Sequence, residues 1–259
     1  MKIVQLSDMH LCGTDRGAVQ SETLRCFDLA LRDIRRRHTD ADLLVFSGDL
    51  TADGEAADYK ALRDRLEGFP VPVELLIGNH DDRKRFLRVF PDHKNENGYV
   101  QRMRVLPLGR AVMLDTNSLD GPHGELCDIR LAWLEAQLIA DAGPFWIFMH
   151  HNPIPTHLPP MDRIMLRDPH RFGDVVAHYK DRIAYIFHGH IHLPMSGSLH
   201  GVPVSCPRSM TMAGYPNYGE DVLLPHLDLP ASYSVITVDG SATTVMMVEF
   251  GADPSLKVA

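Results

Sequence analysis

The sequence predicts an α/β domain in which parallel strands carry helices on their outside and antiparallel hairpins close the chain. Two patterns predict it. Strand-like apolar runs alternate with amphipathic helical runs through the first two thirds. Hairpin signals then gather near the C-terminus, at His200-Gly201 and Asp239-Gly240, and suggest a second sheet face. No internal repeat or low-complexity linker divides the 259 residues. Residues 1–250 are therefore read as one domain, with 207–231 as a pocket or interface loop and 251–259 as a tail.

Each element has a local reason. Lys2 to Ser7 is an apolar first strand. Leu24, Phe27, Leu31 and Ile34 are spaced by three and four, which makes Ser21 to Arg37 an amphipathic helix with Ser21 as its N-cap. Asp42 to Phe46 is a strand ending in Ser47-Gly48-Asp49. Glu55 to Leu66 is helical, with Tyr59, Leu62 and Leu66 on one face. Val73 to Ile77 is a strand, and Asp82 to Phe90 a short helix stopped by Pro91. Strands follow near Tyr99 to Val105 and Arg110 to Asp115, then a polar loop over Asn117 to Asp128 and a helix over Ile129 to Ala140. Phe145 to Met149 and Ile183 to Phe187 are apolar strands, with a proline-rich stretch from Asn152 to Pro169 and a helix from Phe172 to Tyr179 between them. Met195 to Leu199 pairs with Val202 to Cys206. Ser209 to Pro230 reads as a long loop, and Ser232 to Val238 pairs with Ala242 to Phe250.

Composition excludes several classes. The net charge is −8, from 34 acidic and 26 basic residues, and no basic block stands out beyond Arg35-Arg36-Arg37. The electrostatic footprint of a binder of long nucleic acids is missing. No apolar run reaches the roughly 18 residues of a membrane span, and no signal peptide pattern precedes the first strand. Cys12, Cys26, Cys127 and Cys206 are isolated, as reduced thiols would be. These features together predict a cytoplasmic protein.

The polar residues at the strand ends carry the chemistry. Gly78-Asn79-His80-Asp81 follows an apolar strand, and a packed core does not select three polar groups in a row. Four other segments repeat the grammar: Asp8-Met9-His10, Gly48-Asp49, His150-His151 and His188-Gly189-His190-Ile191-His192. In α/β sheets, ligands gather beyond the carboxyl ends of strands. Asp8, His10, Asp49, Asn79, His150, His190 and His192 are thus candidate metal ligands. Seven are too many for one zinc-like ion, which takes four. They suit two ions sharing a carboxylate. Nitrogen and oxygen donors without thiolate point to divalent manganese, iron, zinc or cobalt. Two such ions bring about +4; two aspartates and a bridging hydroxide leave about +1, which matches a phosphate diester. His80 is expected to bind the phosphoryl group or protonate the leaving alkoxide, although in an extended segment it would point away from Asn79. Asn79 and His151 are also read on the substrate side, His151 otherwise as a support to its neighbours. Asp53 and Asp81 are read as orienting loops or histidines. His157, His170, His200 and His226 are read as surface or loop residues, and Tyr215, Asn217 and Tyr218 as possible pocket walls or a plain loop cluster.

The pattern Asp8-x-His10, Gly48-Asp49, Gly78-Asn79-His80-Asp81, His150, Gly189-His190-x-His192 resembles the calcineurin-like metallophosphoesterases, whose signature blocks it repeats in order over residues 8–192. The resemblance implies a four-layer αββα sandwich with two mixed sheets and a dinuclear centre. It implies one metal on Asp8, His10, Asp49 and His192 and the other on Asp49, Asn79, His150 and His190, bridged by Asp49. Gly48-Asp49-Leu50, Gly54 and Tyr59 are similar to the bacterial branch of class III cyclic-nucleotide phosphodiesterases and glycerophosphodiesterases. That branch commonly has His-His-Pro-Pro where this chain has His150-His151-Asn152-Pro153. Ala52 stands where purple acid phosphatases place a tyrosine, so no tyrosinate–iron(III) centre is expected. The resemblance thins in the C-terminal third, which should supply the substrate pocket and any homodimer or higher homo-oligomer contacts.

The expected activity is hydrolysis of small organic phosphate diesters by attack of a metal-bound hydroxide. The rivals are cyclic nucleotides specifically, glycerophosphodiesters, and a phosphomonoesterase, the last of which would need extra cations such as Arg163, Arg167 or Arg208. A non-enzymatic scaffold is disfavoured because every ligand type is present.

Overall fold

The computed structural model describes residues 1–12, 18–218, 224–226 and 229–250; the expected tail lies outside them. Strand β1 (Lys2–Leu6) is followed by helix α1 (Ala18–Arg37), β2 (Leu43–Ser47), α2 (Ala56–Leu66), β3 (Val73–Leu76) and α3 (Arg83–Val89). Then come β4 (Arg102–Leu106), β5 (Gly109–Met113), α4 (Asp128–Ala140), β6 (Phe145–Phe148), the single turn α5 (Pro159–Asp162), α6 (Pro169–Tyr179) and β7 (Ile183–Phe187). The chain ends in β8 (Met195–Leu199), β9 (Val202–Cys206), β10 (Ala213–Tyr215), β11 (Leu224–His226), β12 (Ser232–Asp239) and β13 (Ala242–Glu249).

Two mixed sheets result. One runs β13-β12-β1-β2-β3, with β1, β2 and β3 parallel and the C-terminal hairpin added antiparallel to β1. The other runs β4-β5-β6-β7-β9-β8, parallel in its centre with antiparallel strands at both edges. Ile3, Val45, Leu76, Met113, Trp146, Phe148, Phe187 and Ile236 form one buried cluster, so the two sheets pack face to face. The outer face of the first sheet buries Phe27, Ile34, Tyr59, Leu62 and Phe86 of α1, α2 and α3. That of the second buries Leu131, Leu134, Leu138, Phe172 and Val176 of α4 and α6. This is the expected four-layer αββα sandwich. Glu74 at the edge of the first sheet is fully buried and pairs with Arg102 and Arg104 of β4 at 3.3 and 2.5 Å, tying that edge to the second sheet.

Some local expectations differ. Helix α1 begins at Ala18, so Ser21 lies inside it and is not its cap; Ala18 and Gln20 are good helix formers that carry the helix upstream. The expected loop over 209–230 contains the short antiparallel pair β10–β11, each strand three residues long and too brief to show a period of two. Among the described residues no helix is long and apolar enough to cross a membrane.

Candidate metal centre

All seven candidate ligands emerge beyond the carboxyl ends of strands, and both sheets contribute. Asp8 and His10 follow β1, Asp49 follows β2 and Asn79 follows β3; His150 follows β6, and His190 and His192 follow β7. Parallel pairing of β1, β2 and β3, and of β5, β6 and β7, brings those ends together at one rim of the sandwich.

Asp8, His10, Asp49 and His192 bring one donor atom each to within 4.8 Å of one another. The Nε2 atoms of His10 and His192 stand 3.1 Å apart, and those of His10 and His192 lie 3.6 Å from Asp49 Oδ2 and 3.5 Å from Asp8 Oδ1. Two imidazole lone pairs aimed at one point repel unless a proton or a cation lies between them, so the donor set fits a metal ion. On the other side, His150 Nε2 lies 3.3 Å from Asp49 Oδ1 and 3.2 Å from Asn79 Oδ1. Asp49 therefore turns one oxygen to each group.

The histidines are aimed by backbone carbonyls. A carbonyl can only accept, so the bonded ring nitrogen carries a proton, and in the neutral ring the other nitrogen keeps its lone pair. His150 donates from Nδ1 to Ser47 O at 2.9 Å, His192 from Nδ1 to Met212 O at 2.6 Å, and His190 from Nε2 to Ile164 O at 3.0 Å. The Asp8 carboxylate accepts from the His190 backbone N–H at 3.0 Å, and Ser209 and Thr211 hydroxyls donate to Asp8 O.

Gly78 shows how tightly the centre is built: a Cβ there would lie 2.2 Å from Asp49 Oδ1 and 2.5 Å from His150 Nε2. Gly48, with φ +97°, faces the His150 ring in the same way, at 2.4 Å. Electrostatics follow from burial. Burial pushes the His10 imidazole down to about 3. Burial opposes charge on Asp49, yet His150, helped by His10 and His80, holds its carboxyl well below the usual range. Burial likewise opposes charge on His150, and the facing Asp49 carboxylate outweighs it, raising the imidazole to about 9.

His80 is a correction to the extended-segment expectation. Residues 79 and 80 form a turn, and the His80 ring meets the His10 ring edge-on with centroids 4.7 Å apart. Its Nδ1 donates to Ala52 O at 2.9 Å, which leaves Nε2 uncommitted by that bond, and the residue is exposed at a cleft of about 470 Å³ that also takes in Asn79. His151 is also corrected as a substrate-side group. It is fully buried, donates from Nε2 to Pro122 O at 3.1 Å and accepts at Nδ1 from Thr116 Oγ1 at 2.8 Å. Both ring nitrogens are spent, and the ring packs between His150 and His190.

The buried Asp81 carboxylate accepts from Leu50 N, Thr51 N, Gly78 N and the Thr51 and Tyr59 hydroxyls, lashing the β2 loop to the β3 loop. Burial, and then the Asp49 charge, raise it to about 6. Residue types had not pointed to Asn117, whose Nδ2 donates to Gly78 O at 2.7 Å and Asp81 O at 3.2 Å and holds the ligand turn from the second sheet. Nor had they pointed to Gln5, whose amide bridges Ser47 Oγ at 2.9 Å and His188 O at 3.0 Å between the sheets.

A family model of the calcineurin-like phosphoesterases matches residues 1–194, three quarters of the chain. The chain belongs to that family. Across this calcineurin-like phosphoesterase as a whole, a protein of Rhodopseudomonas palustris named a probable cyclic nucleotide phosphodiesterase is 32% identical over 262 residues, covering 99% of this chain and 95% of its own. A cAMP/cGMP dual specificity phosphodiesterase of Mycobacterium tuberculosis is 33% identical over 211 residues, 78% of this chain and 65% of that one. The 3′,5′-cyclic adenosine monophosphate phosphodiesterase CpdA of Escherichia coli is 29% identical over 195 residues, 74% and 70% of the two chains. Among solved structures, the purple acid phosphatase of yellow lupin seeds superposes with a TM-score of 0.64 at 12% identity, over 96% of this chain and 51% of that one, which shows a shared fold. The family is hydrolytic, and the expected reading of this member as a metal-dependent phosphodiesterase stands.

Proposed function

We propose that this chain hydrolyses cyclic nucleotides, as small phosphate diesters, at a dinuclear centre. The carrying observation is Asp49, whose Oδ1 faces His150 and whose Oδ2 faces His10, at 3.3 and 3.6 Å. A carboxylate with one oxygen in each donor group is what a bridge requires. Asp8, His10, Asp49 and His192 would hold one ion, and Asp49, Asn79, His150 and His190 the other. Bound there, two divalent ions of manganese, iron, zinc or cobalt would activate water and neutralise phosphoryl oxygens. The carbonyl-anchored histidines keep their donor nitrogens aimed without reorganisation. His80, held through Nδ1 by Ala52 O, lines the cleft, where its imidazolium form can give a proton to the leaving alkoxide.

The names of the relatives favour cyclic nucleotides over other diesters. A monoester would need further cations. Arg167 is engaged by Asp120 at 3.2 Å, and Arg208 by Glu249 at 3.2 Å, which disfavours that reading. The four cysteines are free thiols, which supports a cytoplasmic setting. We also propose that residues 1–250 act as one unit, with 207–231 walling the substrate side, and that homo-oligomers form.

The test is reconstitution of metal-stripped protein with each of the four metals, followed by assays on cyclic nucleotides, glycerophosphodiesters and monoesters. Cyclic nucleotides should turn over fastest and chelator should abolish the reaction. Turnover that survives chelation, or a preference for monoesters, would overturn the proposal.

A further inference from the structure

A second cavity, of about 370 Å³, is built on the chain neighbours of His192. Its walls are tied to the ligands. Ile191 and Leu193 of its lining flank His192 in the chain, and Gly214 N–H, also of the lining, donates to His192 O at 3.0 Å. Leu158 belongs to the segment whose Ile164 carbonyl accepts from His190. Its chemistry differs from that of the cleft at His80, where Asp53, Asp82, Arg83, Lys84 and Arg85 gather. Here Leu158, Leu193, Met195 and Leu229 stand with Tyr215 and Tyr218, whose residues are 52% and 72% exposed. Exposed tyrosine rings beside apolar side chains suit a planar heterocycle, because every base presents a π-face.

Among the described residues, the one cation of the lining is Arg208, itself only 9% exposed. Its Nη1 donates to Pro230 O and Glu249 Oε1, at 2.9 and 3.2 Å. A guanidinium carries five N–H donors, and a ring nitrogen or carbonyl of a base is the kind of acceptor that suits them. We infer that this cavity is the nucleobase subsite: the base stacks against Tyr215 and Tyr218 with a polar edge toward Arg208, while the phosphate lies at the metal centre. This rests on the cyclic-nucleotide reading above and assigns the residues that would give it selectivity.

The test compares affinities of the metal-loaded protein for adenosine monophosphate and ribose phosphate by calorimetry, in wild type, Tyr218→Ala and the double variant Tyr215→Ala/Tyr218→Ala. Both tyrosines are exposed, so the fold and the metal content should be kept. Wild type should favour the nucleotide, and the variants should shrink that ratio by about 5- to 100-fold, the range of one lost stacking contact. Equal wild-type affinities, or a ratio unmoved in the double variant, would overturn the subsite. Failure of the phosphodiesterase reading is seen separately, as no turnover of any diester with any of the metals.

Discussion

Replacing Gly78 by alanine adds one methyl group in the tightest part of the centre. The new carbon would sit 2.2 Å from Asp49 Oδ1, 2.5 Å from His150 Nε2 and 2.6 Å from Asp49 N. Carbon needs about 3.5 Å from a non-bonded neighbour, so the Asp49 carboxylate must retreat by about 1 Å. Gly78 is not among the glycines with positive φ, so the backbone itself accepts alanine and the effect is steric. Overpacking of this kind costs about 1–3 kcal/mol, or a fall in Tm of about 3–10 °C for a chain of this size. The cost to the centre is larger, because metal–ligand distances hold to about 0.2 Å. We expect Gly78→Ala to fold, to lose at least one of two bound metals, and to turn over an activated diester about 10²-fold more slowly. Gly68→Ala is the control: it sits at φ +63° with no atom within 4 Å of its new carbon, so it should lose stability without losing metal. Metal analysis and calorimetry read both. A Gly78→Ala protein holding a full metal complement at wild-type affinity would refute the placement of Asp49 and His150 around this glycine.

The remaining expectations touch other parts of the centre. Asp49→Ala should deplete both metals together in elemental analysis, and full occupancy of either would contradict the bridge. For His80→Ala, metal should be retained while turnover of a poorly activated diester falls by about 10²–10⁴-fold; unchanged turnover would remove His80 from the reaction. Gln5→Met keeps the volume but cuts the amide link from Ser47 to His188. Its Tm should stay near wild type while metal affinity drops about 10-fold or more; unchanged affinity would limit Gln5 to packing. Burial pushes His93, whose ring nitrogens lack hydrogen-bond partners among the described residues, down to about 4 from 6.5, with Arg102 and Arg104 acting in the same direction. The folded protein thus binds fewer protons there than the unfolded chain. Its contribution is complete above pH 6.5 and is lost as pH falls toward about 4. Thermal scans of His93→Phe should show a smaller loss of Tm than wild type over that window, and parallel curves would refute this.

The candidate ligands were legible in the sequence because for them residue type is the chemistry: a carboxylate or imidazole at a strand end has few structural uses, and parallel strands put such ends together. The layers were legible for a similar reason, since the period of α1 and the unbroken apolar run of β2 are imposed by what each must bury. The anchors were not. Ser47, Ile164 and Met212 aim three histidines through their carbonyls, and every residue has a carbonyl. His80 was misdirected for want of a backbone conformation: an extended Asn79–His80 step sends the two side chains apart, whereas the turn brings His80 onto His10. His151 stands next to a ligand in the chain, and only the positions of Thr116 and Pro122 show that its nitrogens are spent.

Backbone conformation also explains why the ligand loops are so short. Asp8, His10, Asp49, His190 and His192 all have φ between +46° and +72°, a region that side-chain-bearing residues rarely occupy. Each costs about 1–3 kcal/mol and persists only where its surroundings hold it. The holders are visible: Asp8 N bonds Gly48 O at 3.1 Å, His10 N bonds Asp49 O at 3.0 Å, and His190 N bonds the Asp8 carboxylate. A left-handed residue reverses the chain within one step, so an Asp-x-His or His-x-His segment can turn both side chains inward directly off its strand. The two sheets therefore need no long loops to meet over the centre. Two of these bonds join the β1 and β2 loops of one sheet and the third crosses from the other, so the geometry of the candidate ligands depends on the sandwich being closed, and Gln5 and Asn117, which also join the sheets, belong to the candidate site as much as those ligands do.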